Sequence, residues 1–397
     1  MSFADRFQIS ATAQEEFADR NSEQSAFDET LEQYVRRFAT ARSPWEDFGD
    51  PLRPRENLLT YYGVGGIGKT TLIARLSSRL TGVGRQPDHW PSRIELPIPT
   101  ATCVIDMSDF DAEDAVLLIR GSLTALGARF PAFDLALARY WGQRHADTSI
   151  VEMFRRKGRL SRLAESIGVA EHIQSAMEET CEAVLGTSIP GVTAFRAFAQ
   201  VGELAWRKRI EHTTLRDCPG LGDLLEMEAT SANLAYLGYA LAWDLARIQG
   251  DSGASLVIFV DTMEASSALG ESFINRLTWM LPNALFVLAS RNLLTWAERE
   301  GDLEFKGPGR WPTLEVGRTS EPRQHLIGYL SMEDRLRWLS RVLGDACSED
   351  VLVLAARESQ GLPVHLDLIA QHVRNVARTR RVVAADVQGD IGSVARR

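Results

Sequence analysis

The chain has 397 residues, 45% of them apolar and 24% charged, which is room and composition for two or three ordinary folded domains. A net charge of −9 supplies no global basic field for nucleic acid, so nucleic acid is disfavoured as a partner. No uninterrupted apolar run reaches the roughly 18 residues of a membrane span, and none is expected.

Residues 1–50 are polar and read in part as a helix, with Leu31, Tyr34, Val35 and Phe38 on one face. The first residues carry several acids and no apolar stretch, so no secretory leader is expected. Residues 57–62 form a short apolar and aromatic run that suits a buried strand. Immediately after it come Gly63, Val64, Gly65, Gly66, Ile67, Gly68, Lys69 and Thr70, a match to G-x-x-x-x-G-K-[ST] at every required position. Residues 71–80 then show apolar spacing of a helix that stops near Gly82. Pro87, Pro91, Pro97 and Pro99 imply an irregular connection, and 101–107 read as a second buried strand. Asp111, with Asp114 three residues on, opens a helix running to about Gly127 through a variant of the capping box.

From about 128 to 250 the pattern is almost wholly helical, with Phe130, Phe133, Leu137, Tyr140 and Trp141 at helical spacing. Breaks fall at 188–191 and 217–220. Two basic clusters, at Arg155, Arg156, Lys157 and at Arg207, Lys208, Arg209, suit a solvated face or an acidic partner surface. The apolar stretch 232–248 contains Asp244 and reads as a buried helix. Residues 255–261 and 284–290 read as buried strands separated by a helix ending near Met280. A Gly/Pro-rich link at 301–312, a short strand at 325–330 and helices to about Arg378 complete the chain. Strand, helix and strand in alternation predict a parallel α/β sheet flanked by helices. Cys103, Cys181, Cys218 and Cys347 are scattered without a C-x-x-C pair, consistent with reduced thiols and a cytoplasmic location.

The glycine-rich loop carries the clearest chemistry. Bare backbone can approach an anion closely, loop amides converge on phosphates, and a helix N-terminus at Lys69, Thr70 and Thr71 adds its positive end. Lys69 would reach the outer phosphates, and the Thr70 hydroxyl would ligate Mg²⁺. Only four of the 44 basic residues are lysines (69, 157, 208 and 306), so a compact ammonium is kept at the position that needs one. A magnesium-holding acid is expected where a buried strand emerges, and Asp261 ends such a run. Glu264 is either a general base that polarises attacking water or an ordinary surface glutamate. Arg291 follows the next strand, where ligands bind in open α/β sheets; it either senses a γ-phosphate or makes a surface ion pair.

Taken in order, these stretches resemble the STAND class of signal-transducing NTPases, which contains the NB-ARC/AP-ATPase and NACHT groups. GVGGIGKTTL (63–72) is similar to their phosphate loop. LVIFVDTMEA (256–265) is similar to their magnesium-binding strand, and LFVLASRN (285–292) to the strand ending in the sensor arginine, here Arg291. Gly361, Leu362 and Pro363 are similar to the Gly-Leu-Pro motif of the helical lid, whose proline would contact the adenine side of a nucleotide. Residues 17–23, with Arg20 and Glu23, resemble the short arginine-glutamate motif that precedes the core. The resemblance spans about 15–127 and 251–378. Thr262 stands where many members carry a second acid, Asp19 where glycine is common, and the helical stretch 128–250 is longer than the family's pattern.

The resemblance implies a P-loop NTPase core over 51–330 with a long helical insertion at about 128–250. An N-terminal helical segment over 1–50 and a C-terminal helical lid over 331–397 would flank it. It further implies an ATP/ADP switch in which nucleotide state controls lid opening and homo-oligomeric assembly, with slow Mg²⁺-dependent hydrolysis and a protein signalling partner. An ordinary mechanical or metabolic P-loop ATPase, or a non-hydrolysing nucleotide-bound scaffold, remains the alternative. The absence of an LSGGQ-like stretch disfavours an ABC subunit, and the absence of N-K-x-D disfavours guanine.

Overall fold

The computed structural model describes residues 20–39, 45, 49–82, 94–157, 166–186, 192–200, 203–210, 213–265, 268–298, 305–307, 309–315 and 323–388. Its centre is a sheet of β1 (Leu58–Tyr62), β2 (Thr100–Asp106), β3 (Ser255–Asp261), β4 (Leu285–Ser290) and β5 (Gln324–Leu326). The strands run parallel in the order β2-β3-β4-β1-β5. Every residue of β3 and β4 is buried, as continuous apolar runs at the middle of a parallel sheet must be. Alternate side chains serve opposite faces: Leu256, Ile258 and Val260 join one hydrophobic cluster, Val257 and Phe259 the other. The sheet therefore has apolar layers on both sides.

One face is covered by α1 (Asn21–Ala39) and α2 (Lys69–Thr81). The α1 stripe that the sequence predicts is buried there: Leu31, Tyr34, Val35 and Phe38 are joined by Phe27. The Tyr34 hydroxyl donates to the Asn283 carbonyl at 2.8 Å and accepts the Leu256 N–H at 3.3 Å, which fastens α1 to the sheet.

The opposite face carries α3 (Ala112–Ser122), α4 (Pro131–Arg144), α5 (Ile150–Lys157), α6 (Ser166–Leu185), α7 (Val192–Gln200), α8 (Glu203–Ile210), α9 (Leu221–Glu226), α10 (Leu237–Asp251) and α11 (Ala268–Met280). The predicted capping box of α3 is present, with Asp111 accepting from the Asp114 amide and Asp114 from the Asp111 amide. The long insertion does not build a core of its own. Its buried residues, Phe130, Phe133, Leu137 and Trp141 among them, merge into one cluster with Ala101, Cys103, Ile105, Leu256, Ile258 and Phe286 of the sheet. The reason is economy of burial: the connection from β2 to β3 must return across this face, and the face needs cover. Within the insertion α4 is buried nearly all round, and at Gly142 a Cβ would stand 2.2 Å from the Phe195 carbonyl oxygen, so α4 and α7 cross at backbone contact. Asp134 and Arg120 form a buried pair here, Nε to Oδ1 2.5 Å and Nη2 to Oδ2 3.0 Å.

Two expectations are adjusted. Strand β2 is an edge strand, not a buried one: Thr100, Thr102 and Asp106 are partly exposed and Val104 is 44% exposed. The last strand is shorter than the expected 325–330, because the chain leaves the sheet after Leu326. Beyond it, α12 (Met332–Leu343), α13 (Glu349–Glu358), α14 (Pro363–Ala377) and α15 (Ala384–Gln388) enclose a separate cluster including Trp338, Leu339, Val351, Leu366, Ile369 and Val373. No helix among the described residues is long and apolar enough to cross a membrane.

Candidate functional site

Because the strands are parallel, β1, β3 and β4 deliver their C-terminal ends to one edge of the sheet, with β4 between the other two. Strand β1 turns into the 63–68 loop, and α2 begins at Lys69. Gly66 (φ +77°) and Gly68 (φ +96°) hold the left-handed conformations that let the chain double back into the helix. Lys69 is 7% exposed as a residue, and its ammonium donates to the Gly63 carbonyl at 2.7 Å and the Val64 carbonyl at 3.1 Å. Burial lowers its pKa and Arg291 adds to that, while the Glu264 and Asp261 carboxylates oppose it.

Asp261 ends β3 and is 4% exposed. Burial pushes its carboxyl above the ordinary value, and Asp106, paired with it across β2 and β3, and Glu264 push the same way. Hydrogen bonds from the Thr70 side chain and the Thr262 amide, the latter at 2.8 Å, counter the rise. Thr262 stands at φ +56°, a conformation that costs a β-branched residue about 1–3 kcal/mol and turns its N–H back onto that carboxylate. Glu264, on the short turn Met263–Ala265, accepts from Arg291 Nε through Oε1 at 3.0 Å. Its Oε2 is buried without a hydrogen-bond partner among the described residues. The Arg291 guanidinium packs over the loop, its Cζ 3.7 Å from where a Cβ on Gly65 would stand.

Arg20 approaches from the start of α1. Its guanidinium donates to the Ile67 carbonyl at 2.9 Å, to the Gly328 carbonyl at 2.8 Å and to Glu23 at 3.4 Å. The C-terminal helices close the other side. The Leu330 amide donates to the Gly361 carbonyl at 2.9 Å, and Gly361 (φ +83°) sits so close to Tyr329 that a Cβ would meet its Cβ at 2.9 Å. Helix α14 then starts with Pro363, and the Val364 amide donates to the Gly66 carbonyl at 3.4 Å.

These groups bound a cavity of about 350 Å³. Arg20, residues 65–71, Asp261, Thr262, Glu264 and Arg291 give it a polar half, and Leu330, Trp338, Pro363, Val364, Leu366 and Asp367 a more apolar one. Of the residues singled out in the sequence, Arg20, Gly65, Gly66, Ile67, Gly68, Lys69, Thr70, Thr71, Asp261, Glu264, Arg291 and Pro363 line it. Gly63 and Val64 stand behind, offering their carbonyls to Lys69. Sequence reasoning missed Thr262, Leu330, Trp338, Val364, Leu366 and Asp367. Val364 and Leu366 share the first turn of α14 with Pro363 and Asp367 follows at i+4, so helical spacing from the Gly-Leu-Pro motif is the signal that would have found them. Leu330 and Trp338 carry no such local signal.

The other sequence candidates lie apart. The side chains of Arg155, Arg156, Lys157 and Arg207 and residues 17–19 are outside the described residues, while Lys208 and Arg209 are exposed. Among the described residues no three His, Cys, Asp or Glu side chains gather as a metal site. The arrangement is that of a parallel α/β protein with a ligand-sized cleft at the C-terminal strand edge, the usual place for ligands in such sheets. No protein-family model matches the chain, and no curated protein compared with it does.

Proposed function

We propose that the cavity binds ATP and ADP and that the chain is a nucleotide-controlled switch of the STAND kind, with slow hydrolysis serving to reset it. What carries the reading is convergence: segments around Arg20, Lys69, Asp261, Arg291 and Pro363, far apart in sequence, meet at one cavity. In this reading the loop amides and the α2 N-terminus hold the phosphates and Lys69 leaves its loop carbonyls for the outer ones. The apolar half, with Trp338, Leu366 and Pro363, takes the base.

The residues present fit Mg²⁺, since a hydroxyl and a carboxylate, Thr70 and Asp261, are hydrogen-bonded side by side and a hard cation prefers such oxygens. When bound, the ion neutralises phosphate charge. Glu264 offers its unpartnered Oε2 as general base: it takes a proton from a water whose oxygen attacks the γ-phosphorus, and the bond to the bridging oxygen of ADP breaks. Because the cavity is walled by both the sheet and the C-terminal helices, a ligand held in it biases their relative orientation. Assembly with further copies, a protein signalling partner and a cytoplasmic setting belong to the same proposal.

Calorimetry on Lys69→Ala tests it. ATP·Mg²⁺ binding should become undetectable while the circular dichroism is unaltered, because the ammonium serves the anion and not the core. Unchanged affinity would overturn the assignment.

A further inference from the structure

We propose that Arg291 is shared between Glu264 and the terminal phosphate of a bound triphosphate, so that nucleotide state decides whether the general base is free. The inference rests on the nucleotide reading above and adds the regulation of that site.

Three observations carry it. First, Arg291 Nε bonds Glu264 Oε1 at 3.0 Å, and the arginine side chain is 61% exposed while the glutamate is 20% exposed. Second, the guanidinium lies against the phosphate loop itself, with Nη2 and Cζ each 3.7 Å from the Cβ position of Gly65. Third, the carboxylate is only half used, since Oε2 is buried and unpartnered. One cation thus stands between the carboxylate that would accept a proton and the loop that would hold the anion.

A carboxylate oxygen that already accepts a guanidinium N–H has that position taken and its orientation fixed, so the pair holds Glu264 away from a water it would have to accept from. A γ-phosphate over the loop competes for the same guanidinium with more charge and more acceptor oxygens. Drawing Arg291 toward it releases Glu264 where a water is to be activated. With a diphosphate that competitor is absent and the pair persists. The bias is modest. An ion pair with one largely exposed partner shifts an equilibrium by up to about five-fold. Such a bias suits slow reset better than rapid turnover.

A double-mutant cycle tests the competition. Affinities for ADP and for a non-hydrolysable ATP analogue are measured for the full chain, Glu264→Gln, Arg291→Ala and the double variant, with Arg291→Gln as a second charge deletion. Sharing predicts that Glu264→Gln tightens the analogue by up to about five-fold and leaves ADP unchanged, since Arg291 is released to the phosphate. In the Arg291→Ala background that gain should vanish. An equal or larger gain there would mean plain repulsion between Glu264 and phosphate, and would overturn the sharing. So would an absent gain in the single variant. If the unaltered chain binds neither nucleotide, the nucleotide reading itself falls, an outcome distinct from an additive cycle in a protein that binds both.

Discussion

Gly66→Ala probes the loop and the C-terminal helices with one methyl group. Gly66 sits at φ +77°, where an L-residue costs about 1–2 kcal/mol relative to glycine. The new Cβ would also stand 2.5 Å from Val364 Cγ1 and 3.2 Å from Val364 Cβ, which is overlap with the first turn of α14. Overpacking of that kind costs about 1–3 kcal/mol if the neighbours hold their places. They need not, because the backbone bond across the contact is long, Val364 N–H to Gly66 O at 3.4 Å. We therefore expect α14 to yield, and the total loss to lie near 2–3 kcal/mol, at the lower end of the summed range. Urea denaturation of Gly66→Ala, Val364→Ala and the double variant separates the parts. Val364→Ala in the Gly66→Ala background should recover the overlap and leave the conformational cost, about half of the loss. Limited proteolysis of Gly66→Ala should meanwhile show faster cleavage near the start of α14. A Gly66→Ala protein as stable as the parent, or strict additivity with Val364→Ala, would refute the argument.

Pro363→Ala should weaken ADP binding and raise the assembled fraction in sedimentation, because a rigid apolar ring on the cavity wall is lost from the closed arrangement. Tighter ADP binding, or no change in either quantity, would count against that role. Asp244 gives a pH prediction. Burial raises its carboxyl well above 3.8, the Phe133 amide at 2.9 Å only partly countering it, and Asp134 raises it further. The folded state therefore holds this proton more tightly than the unfolded one, so the group's contribution is largest at acid pH and is lost as pH rises above 3.8 toward the folded value. Asp244→Asn keeps an acceptor for Phe133 without the charge, and its urea midpoint should exceed the parent's at neutral pH and converge with it in acid. A midpoint below the parent's at neutral pH that recovers in acid would show instead that the carboxylate is held ionised by a partner, and would refute the argument.

How far the sequence could be read depended on what each signal physically encodes. Strands β3 and β4 were legible because burial on both faces forces an unbroken apolar run, and the phosphate-like loop because close approach forces glycine at fixed spacing. Strand β2 looked the same in composition, yet it lies at the sheet edge; a short apolar run does not say how many neighbours it has. The insertion shows the same limit. Its apolar spacing announced helices with something to bury, but not that the face of β2, β3 and β4 would share their core. At the site, Glu264 and Arg291 could each be given two roles from the sequence, ligand chemistry or ion pair. Their contact at 3.0 Å joins the two alternatives, because a pair beside the loop can be an ion pair in one state and ligand machinery in another. Trp338 was illegible because it reaches the cavity only through the packing of α12 against α14.

The cavity wall is a closed ring of specific contacts, and the ring has a weakest link. Arg20 ties the Ile67 carbonyl of the loop to the Gly328 carbonyl after β5, at 2.9 and 2.8 Å. From there the chain leads to Leu330, whose amide bonds Gly361 at 2.9 Å, and then to the start of α14. The ring closes where Val364 returns to Gly66 at 3.4 Å, the longest of these bonds. Two of the others converge on a buried guanidinium, 6% exposed, and parting them would strip two carbonyl acceptors from a buried charge, a penalty larger than the loss of one stretched amide bond. Separation of the C-terminal helices from the sheet should therefore begin at Val364 and Gly66, directly above the phosphate-like loop, while Arg20 keeps the far side joined. On the nucleotide reading proposed above, a ligand filling that loop would act at the point of least resistance, where a small difference in its charge and size would have the greatest leverage on the orientation of the helices.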